Sequence, residues 1–203
     1  MLRKNVPDGF LAGLMVAIGG SVFLACDNRY AGAVLFSVAL LSICMFGFSL
    51  YTGKIGFVVE NHSKSNITEV ACGLLGNLIG TLVFGLLVSY ALPNLHKAAF
   101  AACERRLTQL PMETFVRGVF CGVLMYTAVW IFHKKKSISG ILFCVPVFIL
   151  AGFEHSVADM FFFALAELFT LRAAMFILLV VAGNTLGGML IPLVQAMKGR
   201  ADT

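Results

Sequence analysis

Charge is scarce in this chain: 203 residues carry only 15 basic and 10 acidic side chains, against 60% hydrophobic residues and a mean hydropathy of +0.94. So few charges cannot form the polar shell of a soluble domain, and that class is excluded. Cysteine pairing is missing as well. Cys26, Cys44, Cys72, Cys103, Cys121 and Cys144 are scattered, with no Cys-x-x-Cys and no histidine at metal-ligand spacing, so they read as small buried hydrophobes rather than a metal or disulfide framework. Nucleophile elbow, cofactor-binding loop and Asn-Pro-Ala element are all absent. No metal or cofactor is therefore expected, and a strict water channel is disfavoured.

What is present is a series of apolar stretches, roughly Phe10–Ala25, Ala31–Tyr51, Val70–Leu92, Phe115–Phe132, Ile138–Leu171 and Ala173–Met197. Most approach the ~20 residues that cross a hydrocarbon core, which predicts six spans in a lipid bilayer. Arg3-Lys4 heads the first stretch, and no small-residue cleavage site precedes the polar Cys26-Asp27-Asn28-Arg29; a retained helix is expected. Six spans place nine loop and terminal cations on one side (Arg3, Lys4, Lys54, Lys64, Lys134, Lys135, Lys136, Lys198, Arg200) and five on the other (Arg29, Lys97, Arg105, Arg106, Arg172). The bias predicts both termini in the cytoplasm. It also explains Lys134–Lys136 and the pI of 9.0 as a topological anchor, so no nucleic-acid partner is expected.

The two halves echo each other. Phe46-Gly47-Phe48-Ser49-Leu50-Tyr51-Thr52 ends one tract, and Ala151-Gly152-Phe153-Glu154-His155-Ser156 interrupts another 105 residues later. Gly76-Asn77-Leu78-Ile79-Gly80 and Gly183-Asn184-Thr185-Leu186-Gly187 follow, 107 residues apart. This predicts one transmembrane domain over 1–203, with a first repeat at about 8–92 and a second at about 113–197. Such a duplicated unit with a broken helix in each copy is characteristic of transporters and channels. The 34 residues from Ile138 to Leu171 would make a helix of roughly 50 Å against a core of ~30 Å. A break at each Gly-Phe element resolves the excess, since irregular backbone at membrane depth is tolerated only inside protein or beside water. The freed amides of each half-helix would offer an anion site. Gly76, Gly80, Gly183 and Gly187 read as close-packing positions, and Asn77 and Asn184 as hydrogen-bond partners of the broken backbone.

Glu154 and His155 stand out because a carboxylate or imidazole in the membrane interior is functional by default. His155 also exchanges a proton near neutral pH when unperturbed. The alternative is a structural histidine, with Glu154 neutralised by backbone amides. Thr52 is taken as the positional partner of this pair in the first repeat, where its hydroxyl would donate to an anion; otherwise it is a turn threonine. Asp159, four residues after His155, would share its helical face and either orient the imidazole or bond a facing helix. Phe36, Leu40 and Phe148 lie in the same tracts, where aromatic and aliphatic residues are ordinarily core or lipid-facing.

The run Gly152-Phe153-Glu154-His155-Ser156-Val157-Ala158-Asp159-Met160-Phe161 resembles the signature of the formate/nitrite transporter family. Leu50-Tyr51-Thr52-Gly53, Gly76-Asn77-Leu78-Ile79-Gly80, Arg117-Gly118-Val119-Phe120-Cys121-Gly122, Ala128-Val129-Trp130 and Gly183-Asn184-Thr185-Leu186-Gly187-Gly188 resemble it in the expected order. The resemblance implies an all-α, aquaporin-like inverted repeat of six transmembrane helices with broken second and fifth helices. It further implies a homopentamer with one pore per subunit, passing small monovalent anions such as formate, nitrite or hydrosulfide, often with a proton. By position His155 matches the central pore histidine and Thr52 the facing threonine, Phe36 and Leu40 one constriction, and Phe148 the other. Gly122 stands where many members have Asn in the fourth span, and Asp159 where Asn is usual. Arg105 and Arg106 are the nearest counterparts of a vestibule lysine.

The expected function is thus a channel or proton-coupled transporter for small monovalent anions, not an enzyme. A channel for a small neutral solute, and a membrane enzyme using Glu154 and His155 as an acid–base pair, are the alternatives.

Overall fold

A computed structural model describes residues 2–201, and all regular structure among them is helical. Helix α1 (Leu2–Ala25) and α2 (Arg29–Phe46) are joined by a turn in which Asn28 caps α2, its side chain accepting from the amides of Tyr30 and Ala31. A four-residue α3 (Tyr51–Lys54) and a 3-10 turn (Ile55–Val58) continue the second span after a break. Then come α4 (Lys64–Ala91), α5 (Pro93–Leu107), α6 (Pro111–Lys135), α7 (Ser139–Ala151), α8 (Ser156–Leu165) and α9 (Leu171–Ala201). Helices α1, α2, α4, α6 and α9 are each long and apolar enough to cross a membrane, and α7 with α8 supplies the sixth span, bent by 58°. The fold is the aquaporin-like arrangement, with the second and fifth spans broken.

Both breaks are made the same way. Gly47 and Gly152 each adopt φ +74°, the left-handed conformation that glycine alone enters at little cost. The next amide then folds back: Phe48 N–H bonds Ile43 O at 3.0 Å, and Phe153 N–H bonds Phe148 O at 2.9 Å. Beyond each turn an asparagine from a neighbouring span takes over the freed backbone. Asn77 Oδ1 accepts from Tyr51 N–H, and its amide nitrogen donates to Ser49 O and Gly9 O. Asn184 Oδ1 accepts from Ser156 N–H, and its nitrogen donates to Glu154 O and Gly118 O. Both asparagines are fully buried. Irregular backbone is thereby satisfied inside protein, as the membrane interior requires.

The asparagines reach this far because glycine lets their helices approach closely. A Cβ on Gly9 of α1 would lie 2.5 Å from Gly73 O of α4, and one on Gly183 of α9 would lie 2.5 Å from Phe115 O of α6. Helix α5 was not anticipated, because hydrophobic runs mark spans and this element is amphipathic. It buries Ala99 and Cys103, packs the half-buried Leu95 beside them at four-residue spacing, and exposes Lys97, Glu104 and Arg105. One bond pins it to the end of α8, His96 Nδ1 donating to Leu165 O at 2.9 Å, and Ser89 Oγ of α4 accepts from the same Nδ1 while donating to Glu167 Oε1.

Candidate functional site: a buried histidine between two cavities

Helix α2 borders two cavities in succession. A larger one, about 600 Å³, meets it at Arg29 and Phe36 and reaches Phe148, Glu154, His155 and Asp159. A smaller one, about 220 Å³, meets it from Leu40 to Gly47 and is closed by Leu50, Gly53, Lys54, Val129 and His133. The helical turn between Phe36 and Leu40 separates them. At that level Phe36 and Phe148 meet edge to face with centroids 6.1 Å apart, and the His155 ring stacks on Phe148 at 5.6 Å. The sequence reading grouped Phe36 with Leu40. The structure instead pairs Phe36 with Phe148 and puts Leu40 on the other cavity, because one helical turn moves a residue about 5 Å along the axis.

His155 Nε2 lies 2.7 Å from Thr52 Oγ1, and both side chains are buried. His155 is the N-cap of α8, and its Nδ1 accepts the Ala158 N–H at 3.0 Å. A nitrogen that accepts carries no proton, so these two bonds assign the neutral imidazole proton to Nε2, donated to Thr52. Thr52 is therefore the facing partner of His155, not its repeat equivalent. The asparagine bonds align Ser49 with Glu154 and Tyr51 with Ser156, which places Leu50 opposite His155 in the repeat. Bonds within the protein also occupy most of the α8 amides expected to await an anion. At the start of α8, Ser156 N–H goes to Asn184, Ala158 N–H to His155 Nδ1 and Asp159 N–H to His155 O.

Asp159 does not orient the imidazole. Its Oδ1 sits 3.2 Å from Arg106 Nε on α5, and the same nitrogen donates to Glu154 Oε2 at 3.0 Å. Glu154 also accepts from Gln109 Nε2 at 2.6 Å, so a guanidinium and an amide side chain, rather than backbone amides, compensate it. Arg106 in turn lies over the Phe162 ring, 5.0 Å from its centroid. Burial alone would push the Arg106 guanidinium down, but Glu154 and Asp159 more than reverse this and hold it charged. Arg105 lines the same cavity and is exposed. Arg29 crosses its rim to the Ile149 and Leu150 carbonyls, and Arg117 bonds Glu113 and Gly152 O. Gln109, Arg29 and Arg117 carry no spacing signal that would have singled them out.

Gly122 lines neither cavity. A Cβ there would run into the backbone of α9, 2.8 Å from Gly188 N and against Asn184 O. It is a helix-packing glycine, and no side chain at this position can offer a donor to the cavities.

Six spans in an aquaporin-like fold, with two cavities inside the bundle separated at the level of Phe36 and Phe148, define a membrane transport protein, and the family that the chain matches leaves no place for the enzyme alternative. The chain belongs to the formate/nitrite transporter family, whose model matches residues 2–197. It is 28% identical over 219 residues to the nitrite transporter NirC of Escherichia coli, covering 92% of this chain and 82% of that one. It is 29% identical over 189 residues to the uncharacterized transporter YwcJ of Bacillus subtilis, covering 81% and 74%. Among solved structures it resembles a pentameric formate channel with formate bound (TM-score 0.81, 20% identity, 98% of each chain). An FNT family ion channel is also similar (TM-score 0.77, 25% identity, 94% of this chain and 86% of that one). Six apolar spans and bacterial transporter relatives make this a multi-pass protein of a prokaryotic inner membrane.

Proposed function

We propose that this protein conducts a small monovalent anion (formate, nitrite or hydrosulfide) through a pore in each subunit of a homopentamer, with a proton accompanying the anion. The observation that carries this reading is the buried His155–Thr52 hydrogen bond, with His155 on the larger cavity beside the Phe36–Phe148 contact and Gly53, next to Thr52, on the smaller one. An anion arriving from the larger cavity meets apolar rings that strip its water, then one N–H, at Nε2, able to replace it. It takes the place of Thr52 as acceptor of that bond, while the Thr52 hydroxyl turns to donate to the anion. Leu40, Leu50 and Val129 form the apolar exit into the smaller cavity. A bare ion in such a dry passage is expensive, which favours passage with its charge neutralised by a proton. A relative named as a nitrite transporter and a similar structure titled as a formate channel with formate bound support the substrate class.

With both termini in the cytoplasm, as the loop cations favour, the larger cavity faces outward and the smaller one inward. The test is uptake of formate, nitrite, hydrosulfide and lactate by reconstituted liposomes, with and without an inward proton gradient. Selective, gradient-enhanced uptake of one anion is expected. Uptake of a neutral solute such as glycerol with no anion flux would replace this reading with the neutral-solute channel.

A further inference from the structure

The buried cluster in the larger cavity does not balance its charge. Two carboxyl groups, Glu154 and Asp159, share one guanidinium nitrogen, Arg106 Nε. Glu154 satisfies its second oxygen through Gln109. Asp159 Oδ2, on a side chain 1% exposed that lines the cavity, has no hydrogen-bond partner. A carboxylate oxygen buried without a donor is costly, and a second negative charge beside an already paired one compounds the cost. A carboxylic acid at the same place carries its own proton and leaves the cluster neutral.

We propose that Asp159 is the residue that makes anion entry depend on a proton: the Glu154–Asp159 pair binds one proton from the larger cavity, and only the protonated, neutral cluster admits an anion to His155. Without that proton the three-membered cluster itself holds one net negative charge next to His155, and an anion drawn into the cavity by Arg29 and Arg105 is repelled at this last step. The inference rests on the reading of this cavity as an anion pathway, and assigns its proton to the acid pair.

The groups facing Asp159 are consistent with this assignment. From α5 come Arg106 and Cys103, from α6 Cys121, and from the turn before α8 Glu154 and His155. Across the cavity stand Arg29 of α2, Arg105 of α5, and Glu113 and Arg117 of α6, the last two paired with each other. Helix α1 contributes Phe23 alone to this cavity, and α4 and α9 contribute nothing. His155 has its Nδ1 committed to the Ala158 amide, so among the described residues lining the cavity the Asp159 carboxyl is the one buried acceptor with an oxygen free to take a proton.

The experiment compares wild type with Asp159→Asn, which keeps shape and removes the charge, in the pentamer reconstituted into liposomes. Formate uptake, corrected for protein-free vesicles, is measured between about pH 5.5 and about pH 7.5; the two rates in wild type are expected to differ by about tenfold more than in D159N, whose profile flattens. Infrared difference spectra over the same range are expected to show a protonated-carboxyl band in wild type that D159N lacks. Superimposable pH profiles, or an unchanged carboxyl band, would overturn the proposal while leaving anion transport standing. Wild-type protein that carries no anion at any pH would instead remove the underlying reading, and with it this inference. If D159N fails to assemble, Glu154→Gln tests the same shared proton by the same two readouts.

Discussion

Replacing Asn184 by leucine tests the principle on which the site is built. Asn184 makes three hydrogen bonds of 2.8 to 2.9 Å, to Ser156 N–H, Glu154 O and Gly118 O. Leucine has similar volume and makes none of them, leaving the Ser156 N–H and the Glu154 carbonyl buried and unpaired, while Gly118 O keeps its place in the α6 ladder. Each such group costs about 1–3 kcal/mol, so the sum is roughly 2–6 kcal/mol. The lower end applies, because the turn borders the larger cavity and water can reach part of it. For a chain of this length about 2 kcal/mol corresponds to a fall in melting temperature of roughly 4–8 °C. Asn184→Asp should be worse than Asn184→Leu. Its carboxylate still accepts from Ser156, but it sets an oxygen against the Glu154 and Gly118 carbonyl oxygens, the first of which is left with no donor. The assay is thermal unfolding of detergent-purified protein, with oligomeric state followed by size-exclusion chromatography. Anion flux should also fall at least about tenfold, because the displaced turn carries His155. A leucine variant melting within about 2 °C of wild type, or an aspartate variant more stable than the leucine one, would refute the reasoning.

Thr52→Val keeps the shape but leaves the His155 Nε2–H without an acceptor; the lost bond, worth about 1 kcal/mol or more, should cut anion flux by about tenfold, whereas Thr52→Ser retains flux. Wild-type rates in the valine variant would take Thr52 out of the pathway. Gly122→Asn drives a side chain into the α9 backbone and should lower the yield of folded oligomer, at a cost of about 1–3 kcal/mol or more; a well-folded variant with faster flux would return position 122 to the pore. Burial pushes the Cys103 thiol up to about 12, with Arg106 lowering it and Asp159 and Glu154 raising it. At pH 8 roughly one thiol in ten thousand is then ionised, so maleimide should leave the Cys103 peptide unlabelled until the protein is unfolded. Rapid labelling of the native protein would show that α5 does not pack as described.

The broken spans were legible because two physical facts coincide in the sequence. The fifth apolar tract is too long for one crossing, and a glycine stands where the excess must be resolved. The register of the two Gly-Asn pairs likewise pointed to asparagines holding broken backbone, which the Asn77 and Asn184 bonds show. What was not legible depended on side-chain direction. Four-residue spacing placed Asp159 under His155, but His155 is the cap of α8 rather than a residue of its helical face. Its ring turns to Thr52, and Asp159 turns to α5. Arg106 could not be matched with these carboxyl groups, since α5 shows no apolar run and no spacing links it to the signature. Gly122 misled for a related reason: a position in a family pattern says nothing about which neighbour its side chain meets, and here that neighbour is the α9 backbone.

The two ring nitrogens of His155 divide the labour of the site. Nδ1 caps α8, and that bond fixes the ring where Nε2–H can reach Thr52. A second proton on Nδ1 would face the Ala158 N–H and break the cap, so protonating the ring also frays the half-helix that positions it. On the proposed reading, a histidine held this way offers an anion a hydrogen-bond donor that does not move, which is the preorganised kind of stabilisation that works best in a dry passage. Whatever proton travels with the anion is then better taken from a group whose own bonds do not depend on lacking it. Asp159 meets that condition: its Oδ1 is held by Arg106 in either state, and its Oδ2 supports nothing else. Separating the fixed donor from the proton carrier lets charge change at the cavity wall while the geometry at the constriction stays in place.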